Sequence, residues 1–252
     1  MSLCGHCADA QAAVMIDLHC HILLRVPPDD GPASVEGVLD MARVALGDGI
    51  STIVATPHLS FEDLAHPESI PARVEQVQEV VATAGLAVQI LPGAEIPAVW
   101  EALEHAQALP FLGEQRRYVL LEVPLAGLPD YLPQLVFSLQ VKGLQPVLAH
   151  PERTQLAHRN PNLLLELAER GCPLQLNADS VAGRWGRPAR TTALRFLREV
   201  EHCVLATDAH DARQRPPLLS VARRAFRGLG GEKRFQQVTE EYPRKILSGE
   251  NL

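Results

Sequence analysis

The run "MIDLHCHILLRVPPDDGP", residues 15–32, carries an apolar strand into two histidines one residue apart and then into paired aspartates. Alternate side chains of an extended chain share a face, so His19 and His21 point the same way while Cys20 turns from them. Two imidazoles aimed at one point form a metal-binding arrangement, although a His-x-His is as often a polar strand end that meets solvent. The rest of the chain decides between the two.

The same plan recurs. "AVMIDLH" at 13–19 is followed by "STIVATPH" at 51–58, "AVQILPGAE" at 87–95, "RYVLLEVP" at 117–124, "LQPVLAHPER" at 144–153, "PLQLNADS" at 173–180 and "HCVLATDAH" at 202–210. These are seven expected strands. Between them lie helix-spaced apolar segments such as "SVEGVLDMARVALGDG", with Ser34 as cap and Gly47 and Gly49 at the exit. "NPNLLLELAERG" repeats the scheme with Asn160, Pro161 and Gly171. Alternation of strand and helix predicts a parallel sheet with right-handed crossovers, and seven units predict an α/β barrel, closed or nearly so. No repeat or linker marks a second domain, so residues 14–252 read as one domain behind a leader of residues 1–13, expected to be mobile.

Functional groups of parallel α/β barrels gather where strands end. Here the exits hold His19 and His21, then His58, Glu95, Glu122, His150, and finally Asp208 and His210. Singly, each has an ordinary explanation as an ion pair or a turn cap. Together they form a ring of ionisable groups whose carboxylates repel one another unless cations lie between them. A polynuclear metal site accounts for all of them. Imidazole with carboxylate suits zinc, manganese or iron, and the lack of a thiolate fits a hydrolytic site better than a structural zinc.

The bulk properties narrow the classes further. Hydrophobic residues make up 46% and charged residues 21% of 252 residues, an ordinary globular composition. No apolar run approaches the ~20 residues of a membrane span, and the N-terminus lacks the order of a secretion signal, so a cytoplasmic protein without membrane insertion is expected. The five cysteines are scattered and odd in number, which argues against a disulfide framework. "CGHC" at 4–7 has no second pair and reads as part of the leader. Net charge is −7, divided as 6 Lys and Arg against 18 Asp and Glu in residues 1–150, and 17 against 12 in residues 151–252. That acidity argues against nucleic acid as a partner.

"DLHCHIL" with "DDGP", "IVATPH", "PGAEI", "LLEVP", "PVLAHPER", "LQLNADS" and "ATDAH" followed by "RP" resemble the polymerase-and-histidinol-phosphatase (PHP) superfamily, in particular its bacterial manganese-dependent protein-tyrosine phosphatases of capsule and exopolysaccharide loci. The resemblance covers about residues 14–228. It implies a distorted seven-stranded TIM-like barrel and three divalent metal ions, manganese first, with iron or zinc as alternatives. Carried over residue by residue, it puts one ion between His19, His21, Glu95 and Asp208, with Glu95 bridging to a second held by Glu122 and His150. A third falls to Asp30, His58 and His210, and Arg153 and Arg215 match arginines that hold phosphate. The stretch "LRVPP" before the aspartates is about two residues longer than usual in the family. Gly31 aligns Asp30 as the ligand, with Asp29 as the alternative ligand; where Asp30 binds, Asp29 is expected to face solvent or to orient a ligand. The implied partner is a phosphotyrosine-bearing protein, a tyrosine kinase of polysaccharide export.

Phosphate chemistry also fits the charge balance. Three divalent ions outweigh the four carboxylates Asp30, Glu95, Glu122 and Asp208, and two arginines add to the surplus that a phosphomonoester dianion and a hydroxide then offset. The expected reaction is in-line attack by a metal-bridging hydroxide without a covalent intermediate. A small-molecule enzyme such as histidinol-phosphate phosphatase and a non-catalytic metal-binding docking protein are the alternatives.

Overall fold

The computed structural model describes residues 14–25, 27–60, 63, 67 and 69–252. The Cys4–Cys7 pair and the expected leader lie outside the described residues. Among the described residues there are eight strands: β1 Met15–Cys20, β2 Ile50–Ala55, β3 Gln89–Pro92, β4 Glu95–Pro97, β5 Tyr118–Glu122, β6 Gln145–Ala149, β7 Leu174–Asn177 and β8 Cys203–Ala206, separated by helices except between β3 and β4. All strand pairings are parallel, as the alternation predicts.

The strands do not form one closed sheet. They form a three-stranded sheet, β1-β2-β3, and a five-stranded sheet, β4-β5-β6-β7-β8. The division falls inside the third apolar run, where β3 pairs with β2 and β4 with β5. The chain crosses between sheets at Gly93, where an added Cβ would stand 2.6 Å from Val54 Cγ1. Glu95, expected at the end of the third strand, therefore begins β4.

Isolated bridges link the sheets at both seams. Cys20 bridges to Ala209, with Asp208 N–H donating to His19 O at 2.8 Å and His21 N–H to Ala209 O at 2.8 Å. His58 bridges to Glu95, whose N–H donates to Pro57 O at 3.0 Å. Beneath the first seam Asp17 is fully buried and accepts from Thr207 N at 2.9 Å and from Thr207 Oγ1 at 2.5 Å. Burial pushes the Asp17 carboxyl up to about 6, against the lowering effect of those Thr207 bonds.

Side chains from the two sheets meet on one inner face. Ile16, Leu18, Val54, Leu120, Val147 and Val204 form an apolar cluster closed by Leu112, Tyr118, Tyr242 and Ile246. The alternate residues, such as Ile53, Leu121, Leu148, Leu176 and Leu205, pack into the larger core that also contains the helix faces. The β1–β2 ladder shifts register between Asp17 and Cys20. Such an irregularity re-aims side chains. Beyond it Cys20 joins the outer core and the histidines sit together over the inner cluster.

The helix Val35–Asp48 shows how local sequence sets the outer layer. Ser34 caps it by accepting from Gly37 N, and Val38, Met41, Ala42 and Ala45 form its buried stripe. Gly47 lies within the helix; Gly49, with φ 90°, ends it alone. The three described cysteines, Cys20, Cys172 and Cys203, are buried free thiols.

Thr207→Val should leave Asp17 Oδ2 without its hydroxyl donor, at a cost of about 1–3 kcal/mol. The expected result is a lower urea midpoint at unchanged m-value. An unaltered midpoint would show that the Asp17–Thr207 contact does not hold the seam.

Candidate metal centre

The nine candidate ligands come together around the strand exits, with Asp30 reaching in from the loop after β1. His19 and Cys20 end β1 and His21 follows, His58 lies just past β2, Glu95 opens β4, Glu122 closes β5, His150 follows β6, and Asp208 and His210 follow β8. Four groupings have ligand atoms within 4.8 Å of one another: His21, Asp30, His58 and His210; His19, His21 and Glu95; His19, His150 and Asp208; and His58, Glu95 and Glu122. His150 and Asp208 have left-handed backbones, φ 30° and 53°. That conformation is costly for residues other than glycine and gathers at functional sites.

Glu95 is the hub. Its Oε2 lies 3.2 Å from His19 Nε2, 3.4 Å from His21 Nε2 and 3.0 Å from His58 Nδ1, while Oε1 lies 2.7 Å from His150 Nε2. Yet Oε2 is buried and makes no hydrogen bond of acceptable geometry. His19 Nε2 and His21 Nε2 are themselves 3.2 Å apart, and each stands 3.6 Å from Asp208 Oδ1. Imidazole nitrogens and carboxylate oxygens that crowd around a buried carboxylate oxygen left without a hydrogen bond are the donor set of a cation. The residues therefore fit divalent metal.

The electrostatics have the same origin. Burial alone would lower His21, but its contacts with Asp29 and Glu95 raise it to about 10. His150 likewise rises to about 9 against its burial, through Glu95. Glu122 is pushed up to about 7, first by burial and then by the Glu95 charge. His210 falls to about 2 because it is buried and faces His21. The imidazoles around Asp208, with Arg215, hold its carboxyl below the usual range in spite of burial.

Asp30 and Asp29 divide their work. The loop between them and β1 is closed by Arg25 N–H donating to Pro32 O at 2.9 Å. At its neck Gly31 passes so close that a Cβ would stand 2.5 Å from His21 O. Asp30, with its side chain 60% exposed, reaches back to His210 Nε2 at 2.7 Å. Asp29 is buried and accepts from His21 Nδ1 at 2.7 Å and from His58 N at 3.3 Å. Asp29 therefore does not face solvent, and its carboxylate touches the candidate ligand His21.

Both arginines close on Asp208. Arg153 Nη1 is 2.7 Å from Oδ2 and Arg215 Nη2 is 2.8 Å from Oδ1, with Arg215 also donating to the Asp208 carbonyl at 2.9 Å. Two guanidiniums thus converge on one carboxylate beside the imidazoles.

The sequence matches the family model for capsular polysaccharide synthesis proteins CpsB/CapC over residues 15–248. The chain belongs to the CpsB/CapC family. It is 34% identical over 203 residues to the tyrosine-protein phosphatase YwqE of Bacillus subtilis, covering 80% of this chain and 79% of that protein. It is 31% identical over 242 residues to the tyrosine-protein phosphatase CpsB of Streptococcus pneumoniae, covering 92% and 98%. A crystal structure from the pair YwqE of B. subtilis and CpsB of S. pneumoniae, described as unique metal-dependent tyrosine phosphatases, superposes with a TM-score of 0.84 at 30% identity, over 94% of this chain and 96% of that one. An organophosphorus hydrolase variant, 16% identical, superposes with a TM-score of 0.60 and shares the fold alone. The CpsB/CapC match spans all nine candidate ligands and both arginines.

Three polar residues in this CpsB/CapC site carry no role in the sequence reading. Gln175 Oε1 accepts from His19 Nδ1 at 2.8 Å and from His150 N at 3.2 Å, and Gln175 Nε2 donates to Asn177 Oδ1 at 2.9 Å. Asn177 Nδ2 donates in turn to Asp208 Oδ2 at 2.7 Å. Glu152, buried, accepts from Asn177 N at 3.0 Å. Because His19 Nδ1–H donates to Gln175 Oε1, the proton stays on Nδ1 and Nε2 is left to face the cluster; Asp29 accepts in the same way from His21 Nδ1. The signal was present in "LQLN", where two amides alternate with two leucines on the inward face of a strand.

Gln175→Leu should weaken manganese binding by about 10–100-fold through loss of the His19 orientation. Titration calorimetry of the purified variant checks this. Wild-type affinity in a folded variant would remove Gln175 from the site.

Proposed function

We propose that this chain is a metal-dependent protein-tyrosine phosphatase, acting on a tyrosine kinase of capsular or exopolysaccharide synthesis. The observation that carries the reading is the convergence of five imidazoles and four carboxylates beside two arginines that meet at one anionic corner. The names of the B. subtilis and S. pneumoniae relatives support the choice of phosphotyrosine. We further read the two sheets as one distorted seven-unit barrel of the PHP kind, in a single domain over residues 14–252, working in the cytoplasm. Among the described residues no helix is long and apolar enough to cross a membrane.

Three divalent ions, manganese first, would be held by His19, His21, Glu95 and Asp208, by Glu95, Glu122 and His150, and by Asp30, His58 and His210. When bound, such ions supply Lewis acidity to phosphoryl oxygens and draw the pKa of water down towards ~7. The remaining work falls to the chain. Arg153 and Arg215 bind the phosphoryl oxygens and turn the ester bond in line with the attacking water. Asp29 and Gln175 hold the imidazoles in one tautomer. A phenolate, whose conjugate acid has a pKa of ~10, leaves with little help from a general acid. Cys20 is no competing nucleophile, since it is fully buried and burial pushes its thiol well up.

Purified protein should hydrolyse a phosphotyrosine peptide in preference to histidinol phosphate. Chelation should abolish that turnover and lower the melting temperature, because folded-state ligand binding adds stability. Retained turnover after verified metal removal would refute the mechanism. Arg153→Ala and Arg215→Ala should each reduce kcat/KM at least about tenfold, a loss of ~1.4 kcal/mol, at unchanged metal content. A variant that loses its metal would show instead that the arginine supports the ligand Asp208.

A further inference from the structure

Trp185 is an exposed aromatic residue against the two arginines that meet at Asp208. It sits at the turn into the helix Gly186–Glu199, between Gly183 with φ 99° and Gly186 with φ 86°. These two left-handed glycines swing the chain out and back, so that the indole lies over the arginines. The Arg153 guanidinium carbon is 4.1 Å from the ring centroid and that of Arg215 is 5.5 Å from it. Trp185 nevertheless remains 38% exposed. What sets Trp185 apart is its place: its indole contacts two part-buried guanidiniums at the edge of the cluster and keeps surface open to a ligand.

A phosphate held by Arg153 and Arg215 carries its ester group one oxygen away from phosphorus. Trp185, whose ring contacts both guanidiniums, borders the position of that group. We infer that Trp185 is the specificity residue against which the aryl group of a phosphate monoester lies. The inference rests on the phosphoester activity proposed above and adds the means by which aryl esters are told from alkyl esters. An aromatic ring stacks on indole with an attraction that an alkyl chain of similar reach lacks. The cation–π contact with Arg153 gives the same indole a second effect, since it holds the guanidinium plane where the phosphate arrives. The two effects separate experimentally: stacking acts on aryl ligands alone, and arginine positioning acts on every phosphoryl ligand.

The test compares phenylphosphonate with methylphosphonate as competitive inhibitors, since neither is consumed. In the metal-loaded wild type phenylphosphonate should bind the more tightly. Trp185→Ala should shrink that preference at least threefold, whatever it does to both ligands in common, and Trp185→Phe should keep most of it. The chain has two tryptophans, so in a Trp100→Phe background the remaining emission reports on Trp185 directly. Phenylphosphonate should quench it, and methylphosphonate should leave it nearly unchanged. An unchanged preference in folded Trp185→Ala, or no fluorescence response to phenylphosphonate, would overturn the assignment. Wild-type protein that hydrolyses no phosphomonoester would overturn the phosphatase reading itself, whereas intact hydrolysis with an unaltered aryl preference removes Trp185 alone.

Discussion

The structure is organised by the electrostatics of one buried carboxylate. Glu95 is 1% exposed, and its two oxygens are approached by four imidazole nitrogens. A carboxylate in that position is tolerable only among positive charges, and the neighbouring Asp208 raises the requirement. What surrounds the pair follows from this demand. Arginines come in from one side, imidazoles from the strand exits, and amide side chains fix which nitrogen of each imidazole faces inward.

Part of this positioning comes from the strands themselves, which carry His19, Glu95, Glu122, Gln175 and Asn177. The inner face of the sheets is apolar at its lower level, where Leu18, Leu120, Val147 and Val204 meet, and polar one step further along the same strands. Gln175 and Asn177, Glu122 and His19 are thus extensions of a packed core. Their rotamers are restricted by neighbours that cannot move independently. The costs of the arrangement appear in the backbone, where His150 and Asp208 adopt left-handed conformations as the chain leaves its strand.

Much of this was legible from the residues. The strand exits could be read because apolar runs end abruptly in ionisable groups, and the pair His19 and His21 follows from strand periodicity. The break within "AVQILPGAE" could not, since both halves are short and apolar and only the close approach of Gly93 to Val54 separates them. The burial of Asp29 was also out of reach. Two adjacent aspartates look alike until the Arg25–Pro32 closure turns one under the loop and the other outward. Gln175 was within reach, because an amide on the inner face of a buried strand needs a partner. Trp185 gave no sequence signal, since its relation to Arg153 depends on a fold contact between segments far apart in the chain.

The two seams divide the chain unequally and the candidate ligands with it. His19, His21, Asp30 and His58 belong to the three-stranded part, and Glu95, Glu122, His150, Asp208 and His210 to the five-stranded part. Each of the four groupings draws on both. Neither half owns a complete coordination set, so the chain behaves as a two-piece lock whose parts mean nothing alone. A cut at the Gly93 crossing would yield two fragments whose reassociation could be scored by the metal they jointly retain, turning the site into a built-in sensor of sheet closure.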